Sequence, residues 1–149
     1  MQLGLTDRVA IVTGSGRGIG AETARALAEE GARIVVTDID AQAAADSCAA
    51  LQGAGFSAIA VAADVTNSAD VERVVQAALN SFGSVHVLVN NAGFARDARI
   101  TKLTETDWDA VVDTVLKGAF LCTKAVAPLM AAQHWGRVVN ISSRAHLGN

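Results

Sequence analysis

Thr13-Gly14-Ser15-Gly16-Arg17-Gly18-Ile19-Gly20 follows the apolar run Val9-Ala10-Ile11-Val12 and opens a segment rich in Ala and Leu. A glycine turn between a buried strand and a helix N-terminus leaves backbone N–H groups and the positive end of the helix dipole facing outward, where a pyrophosphate can bind. The spacing is GxxxGxG, on Gly14, Gly18 and Gly20, rather than GxGxxG. Its physical demands are the same: a tight turn, close approach of backbone to phosphate, and close packing of helix on strand. The plain alternative is a helix start that happens to be rich in glycine. The surrounding segments discriminate between the two.

Outward from the turn, strand and helix patterns alternate. Arg8 to Thr13 reads as the first strand. Gly18 to Glu30 reads as a helix, with Ile19, Thr23 and Leu27 one turn apart and Gly31 just past its end. Arg33 to Thr37 is rich in β-branched residues and ends at Asp38; an Ala-rich helix from about Ala41 leads to Gly53-Ala54-Gly55, and Phe56 to Ala62 reads as a third strand. Ser68 is expected to cap the next helix, whose Val71, Val74, Val75, Ala78, Leu79 and Phe82 recur at helical spacing until Gly83 stops it. A fourth strand, Val85 to Val89, runs into Asn90-Asn91-Ala92-Gly93. Thr104-Glu105-Thr106-Asp107 is laid out as a capping box with Asp in the last place. It heads a long helix carrying Trp108, Val111, Val112, Val115, Leu116 and Ala119, in which Pro128 kinks the axis or marks the final turns. Arg137 to Ile141 is the fifth strand. Apolar strands joined by helices require parallel pairing with both faces covered. The expected fold is therefore one doubly wound α/β domain with strand order 3-2-1-4-5 and the glycine turn where that order reverses.

The composition fits this and excludes other classes. A chain of 149 residues, 51% apolar and 18% charged, has material for one sizeable core and is not a disordered polypeptide. A net charge of −3 supplies no electrostatic basis for binding nucleic acid. Cys48 and Cys122 are far apart with no CxxC partner, and are read as buried, reduced thiols. Lys117, His86, His134 and His146 lack the spacing of a metal site or a catalytic triad, so no metal is expected. No basic-then-apolar leader is read before the first strand, and no apolar run is read as approaching the ~20 residues of a membrane span. A cytoplasmic protein with no membrane partner is the expectation.

Asp38 stands at the end of the second strand, about 20 residues after the turn, where a carboxylate can accept both ribose hydroxyls of an adenosine. It would repel a 2′-phosphate, which favours NAD over NADP. Arg17 is a counter-signal, because a cation in the turn can hold that phosphate. The alternative for Asp38 is a solvated carboxylate at a strand end.

Taken together, TGSGRGIG, Asp64-Val65, the NNAG of Asn90 to Gly93 and the NISS of Asn140 to Ser143 resemble the classical short-chain dehydrogenase/reductase family, in order and spacing, over essentially the whole chain. The resemblance implies a Rossmann-like dinucleotide-binding domain and an oxidoreductase that passes hydride between nicotinamide and a secondary alcohol or ketone. It implies that Gly14, Ser15, Arg17, Gly18, Ile19 and Gly20 wrap the pyrophosphate and adenosine phosphate side, and that Asp38 and Ile39 flank the adenosine ribose. Asp64 and Val65 would meet the adenine, and Asn91, Ala92 and Gly93 would line the nicotinamide ribose. Ser143 would be the catalytic serine, donating a hydrogen bond to the substrate oxygen. A homo-oligomer built through the helix that starts at Thr104 is also implied.

The sequence departs from the family in two places. The family's proton-transfer pair, YxxxK, belongs shortly beyond Ser143, yet the sequence contains no tyrosine. A free phenol needs the lysine's tuning, since its pKa of about 10 makes it a poor base near neutrality. The chain is accordingly expected to be the cofactor-binding portion of an incomplete domain, with an unpaired edge at strand five and exposed apolar residues on the long helix. Self-association, or partnering by missing sequence, is expected to follow. Secondly, Val115 stands where the family usually has an asparagine linking the lysine to solvent through water. It either breaks that relay or continues the apolar stripe of Val111, Val112 and Leu116. The rival to an enzyme is a non-catalytic NAD-binding or regulatory protein.

Overall fold

In a computed structural model of the chain, which describes residues 3–143, the strands are β1 (Val9–Thr13), β2 (Arg33–Asp38), β3 (Ala58–Ala62), β4 (Val87–Asn90) and β5 (Arg137–Asn140). They pair in parallel as one five-stranded sheet, in the expected order β3-β2-β1-β4-β5. Between them run α1 (Gly18–Glu29), α2 (Ala41–Gly53), α3 (Ser68–Phe82), α4 (Glu105–Val112) and α5 (Gly118–Ala132). His146 and the segment after Ser143 lie outside the described residues.

The period-two alternation of strand side chains divides the core in two. Val9, Ile11, Val35 and Leu88 face Val71, Val74 and Ala78 of α3 and Cys122, Val126 and Met130 of α5. Ala10, Val12, Ile34, Val36, Val87 and Val89 face Ala24 and Ala28 of α1 and Ala44, Cys48 and Leu51 of α2. Alanines on the second face let its helices lie close to the sheet. This shifts the buried line of α1 to Gly20, Ala24 and Ala28, one residue on from the Ile19, Thr23, Leu27 line expected from spacing. Ile19 is instead 70% exposed at the open end of the helix.

Boundaries differ from expectation where caps decide them. Asn67, not Ser68, caps α3, its side-chain oxygen accepting from the N–H groups of Ala69 and Asp70. Asn is at least as good a cap as Ser, and here it stands one residue earlier. Thr104 caps α4 by accepting from the Asp107 N–H at 3.1 Å. Its hydroxyl donates to the Asp107 carboxylate at 2.8 Å, whereas a capping box would have that carboxylate reach the Thr104 N–H. The long helix is also not uniform. Its α4 and α5 portions are joined by a π-turn over Asp113–Lys117, in which the Gly118 N–H reaches back to the Asp113 carbonyl. Before this turn no residue of the helix is buried; after it Gly118, Cys122, Val126 and Met130 are, at every fourth position. One extra residue thus re-aims the helix as it reaches the sheet. Pro128 falls within α5, toward its end.

The run Glu105–Ala132, 28 residues with an 18-residue stretch of mean hydropathy 1.4, is long and apolar enough to cross a membrane, contrary to the expectation that no segment approaches that length. Burial of Cys122, Val126 and Met130 against the sheet gives it a place in the core of the domain. Its outer face exposes Trp108 (57%), Leu116 (69%) and Phe120, and among the described residues β5 pairs only with β4 and is exposed throughout.

At the end of the sheet away from the glycine turn, Trp135 lies between the guanidinium groups of Arg8 and Arg137, 4.1 and 4.9 Å from its ring. His86 meets the ring edge-on, and its Nδ1 accepts a 3.0 Å hydrogen bond from the Val9 N–H. Burial, and secondarily the Arg8 charge, hold the His86 pKa below its ordinary value. The unfolded chain therefore takes up this proton first as pH falls, and the stability contributed by neutral His86, full above about pH 6.5, is lost as pH drops through and below that value. Thermal melts between pH 8 and pH 5 should show a steeper acid-side loss for the native chain than for His86→Asn; parallel curves would refute this.

Candidate active site

The parallel strands carry their C-terminal ends to one edge of the sheet. β1 is the switch strand, with β2 on one side and β4 on the other, so the crevice beside it opens between Gly14 and Asn91. Buried Thr13 holds that crevice together. Its Oγ1 accepts from the N–H groups of Asn91 and Ala92, both at 3.0 Å, and donates to the Val89 carbonyl at 3.4 Å. Asn91 returns the connection, its side-chain amide donating to the carbonyls of Thr13 at 2.9 Å and Gly14 at 3.0 Å.

These short links require missing side chains. A Cβ on Gly20 would lie 2.2 Å from the Gly14 carbonyl oxygen and 2.5 Å from Asn91 Nδ2, and one on Gly14 would lie 2.8 Å from Ala92 Cα. Gly18 has a different reason: its φ of +57° is one that other residues rarely adopt, and the space where its side chain would be is open. Helix α1 then begins with Arg17 at the N-cap, with no side-chain cap and no acid in its first turn. Each of α2, α3 and α4 has its N-terminus closed by Asp40, Asn67 or Thr104. The first intrahelical bond of α1 is Ala21 N–H to Arg17 carbonyl, so the N–H groups of Gly18, Ile19 and Gly20 precede the helical ladder. An open helix start with a glycine-lined approach is chemically suited to a phosphate diester.

Ser15 belongs to this turn in a different way from Gly18. It is 0% exposed. Its N–H donates to the Thr37 carbonyl at 3.0 Å and its hydroxyl to the Val12 carbonyl at 2.6 Å, while the hydroxyl accepts from the Thr37 N–H at 3.2 Å. Ser15 therefore fastens the turn to β2 and, in this conformation, has no proton to offer a phosphate. Ser47 of α2 donates to its carbonyl at 2.8 Å.

Half-buried Asp38 stands beside the turn. Its Oδ2 accepts from the Gly16 N–H and its Oδ1 from the Asp40 N–H, both at 3.0 Å. Each carboxylate oxygen retains a second lone pair, so acceptance from two ribose hydroxyls remains open to it. The guanidinium of Arg17 is held by Asp40. Ile39 is exposed next to them.

Asp64 follows β3 and accepts at Oδ1 from the N–H and hydroxyl of Thr66, at 2.9 and 2.8 Å. Val65 is buried, packed where a Cβ on Gly118 would lie 2.7 Å from its Cγ2. Val115, 45% exposed in the π-turn, lies over Gly93, 3.3 Å from where a Cβ would stand. It is a cover on the NNAG loop more than part of a buried stripe. Exposed Ser143 lies just beyond β5, on the same edge of the sheet as the glycine turn and the NNAG loop. The hydrogen bond from the Ile141 N–H to the Asn90 carbonyl, at 2.9 Å, extends the β4–β5 pairing toward it.

Several connections that shape the site are not evident from its motifs, even where they use motif residues such as Thr13 and Asn90. Thr13, Thr37, Ser47 and Asp40 act through partners distant in sequence. The Asn90 side chain joins β4 to Asn140 of β5 at 2.8 Å and to Thr123 of α5 at 3.2 Å. Cys122 is buried against the sheet, and burial pushes its thiol up to about 11, so it stays protonated. Among the described residues no group of His, Cys, Asp or Glu is placed to hold a metal ion.

A family profile described as short chain dehydrogenase matches residues 8–148. The chain is 42% identical, over 98% of its length, to a (2S)-[(R)-hydroxy(phenyl)methyl]succinyl-CoA dehydrogenase subunit of Thauera aromatica, and covers 59% of that protein. It is 46% identical, over 95% of its length, to a 3-oxoacyl-[acyl-carrier-protein] reductase of a Synechocystis strain, covering 58% of it. A peroxisomal multifunctional enzyme type 2 of Drosophila melanogaster is 40% identical over 93% of the chain, which covers 24% of that protein. The chain thus spans less than two thirds of the length of these relatives.

Replacing Thr13 by Val would leave two backbone N–H groups without an acceptor at little change in volume. At about 1–3 kcal/mol for a buried unsatisfied group, Thr13→Val should lower the melting temperature by several degrees. An unchanged melt would show that the hydroxyl does not hold the crevice.

Proposed function

The chain belongs to the short-chain dehydrogenase family, and on that premise we propose that it forms the cofactor-holding half of an oxidoreductase that uses NAD in preference to NADP. The observation that carries this is the uncapped start of α1 with the Asp38 carboxylate fixed beside it. Gly14, Arg17, Gly18, Ile19 and Gly20 surround the pyrophosphate side, with the Gly18, Ile19 and Gly20 N–H groups as donors. Asp38 accepts from the adenosine ribose and Ile39 covers it. Asp64 and Val65 bound the adenine, Asn91, Ala92 and Gly93 the nicotinamide ribose. When bound, the nicotinamide supplies hydride exchange with the carbon of a secondary alcohol or ketone. Ser143 donates a hydrogen bond to the substrate oxygen.

The proton of that reaction needs a base near neutrality, and the sequence contains no tyrosine to serve as the family's. The 149 residues by themselves should therefore bind cofactor and show negligible turnover. Two of the relatives named above act on acyl groups carried by coenzyme A or a carrier protein, and an acyl thioester is the substrate class proposed for the full-length protein. Its setting is proposed as the cytoplasm. The exposed Trp108, Leu116 and Phe120 face is proposed to pack against a second copy of the same protein.

Calorimetric titration tests the cofactor reading: NAD should bind more tightly than NADP, and the reverse order would overturn it. Asp38→Asn should weaken NAD by about tenfold, as expected for losing charge-assisted hydrogen bonds worth about 1.5–3 kcal/mol, while NADP loses less. Sedimentation at micromolar concentration tests the packing; a monomer with a cooperative melt would argue against it.

A further inference from the structure

We propose that Asp40 sets the choice between NAD and NADP by holding Arg17, so that the one cation of the glycine turn is withheld from a 2′-phosphate. This deepens the cofactor reading and rests on it. Arg17 is 70% exposed and stands at the N-cap of α1, where a phosphate on the adenosine ribose beside Asp38 would come within reach of its guanidinium. In the structure Arg17 Nη2 donates to Asp40 Oδ2 instead.

Asp40 is itself held firmly in place. Its Oδ1 accepts from the N–H groups of Gln42 and Ala43, both at 3.1 Å, as the N-cap of α2. Its own N–H donates to Asp38 Oδ1, and Asp38 Oδ2 accepts from the Gly16 N–H. Turn, strand end and helix start therefore form one closed circuit, Gly16–Asp38–Asp40–Arg17. The helix-capping bonds and the Arg17 guanidinium keep the Asp40 carboxyl below its ordinary pKa, so it carries its charge at neutral pH.

The charge balance gives the consequence. With both carboxylates present, a 2′-phosphate would enter a corner holding two negative groups and one cation already engaged. Without the Asp40 charge, the same corner holds one carboxylate and a free guanidinium, whose planar donors suit a phosphate. An exposed ion pair contributes little to stability, so the main effect of this one is where it keeps the guanidinium. Asp40 is thus a positioning residue acting through Arg17, distinct from Asp38, which itself faces the ribose.

Asp40→Asn removes the charge and keeps the cap, since Asn serves an N-cap as well as Asp. NAD and NADP affinities of the 149-residue chain would be measured by calorimetry for the native protein, Asp40→Asn, Arg17→Ala and the double variant. Asp40→Asn should raise NADP affinity relative to NAD by about three- to fivefold, the scale set by releasing an exposed ion pair worth up to about 1 kcal/mol, and the double variant should abolish that gain. Arg17→Ala alone should leave the ratio of the two affinities within about twofold, because its guanidinium is already engaged. This variant keeps the proposal testable even if Asp40→Asn fails to fold. A ratio indifferent to Asp40→Asn, a gain that survives loss of Arg17, or a selective loss of NADP binding in Arg17→Ala would each overturn it. If the native chain binds NAD but the ratio ignores Asp40, this proposal alone falls; if it binds neither nucleotide, the cofactor reading falls with it.

Discussion

The reciprocal link between Thr13 and Asn91 is the constraint on which the rest of the arrangement depends. A hydroxyl at the end of β1 accepts two N–H groups from the end of β4, and the Asn91 amide donates back to two carbonyls of the turn. Contacts this close admit no Cβ at Gly14 or Gly20. Once the two strand ends are locked, α1 starts beside them, with the N–H groups of Gly18, Ile19 and Gly20 preceding its helical ladder. The glycines thus serve two purposes. Gly14 and Gly20 let backbone approach backbone, and Gly18 supplies a turn conformation that leaves open space outside.

The fold was legible because its signals are local and repeated. β-branched runs, helical spacing and glycine stops each fix an element, and parallel pairing follows from the connections. Less visible was whatever depends on a partner distant in sequence. Ile19, Thr23 and Leu27 are the larger residues on α1, yet Gly20, Ala24 and Ala28 are buried, because the helix sits too near the sheet for larger side chains. Ser15 lies within the glycine turn by sequence, but its hydroxyl and N–H are committed to Val12 and Thr37. Spacing identifies which residues share a turn and cannot tell which way each donor points. That Asp38 ends its strand beside the turn was readable from its spacing; the engagement of Arg17 by Asp40 was not, since both residues look like ordinary surface charges.

The π-turn shows how one inserted residue serves both packing and the crevice. On one side of it, α5 settles into the core with a small residue against Val65. On the other, Val115 is set over the NNAG loop.

The placement of the aromatic residues has a spectroscopic consequence. The sequence contains two tryptophans and no tyrosine, so near-ultraviolet absorption and emission come almost wholly from two indoles. Trp135 is wedged between two guanidinium groups at one end of the sheet, in a packed setting that exists only when β1 and β5 are in place. Trp108 is on the outer face of α4, largely in water. The protein therefore carries two separable optical probes, one reporting the integrity of the sheet and the other what comes to rest on the helix face.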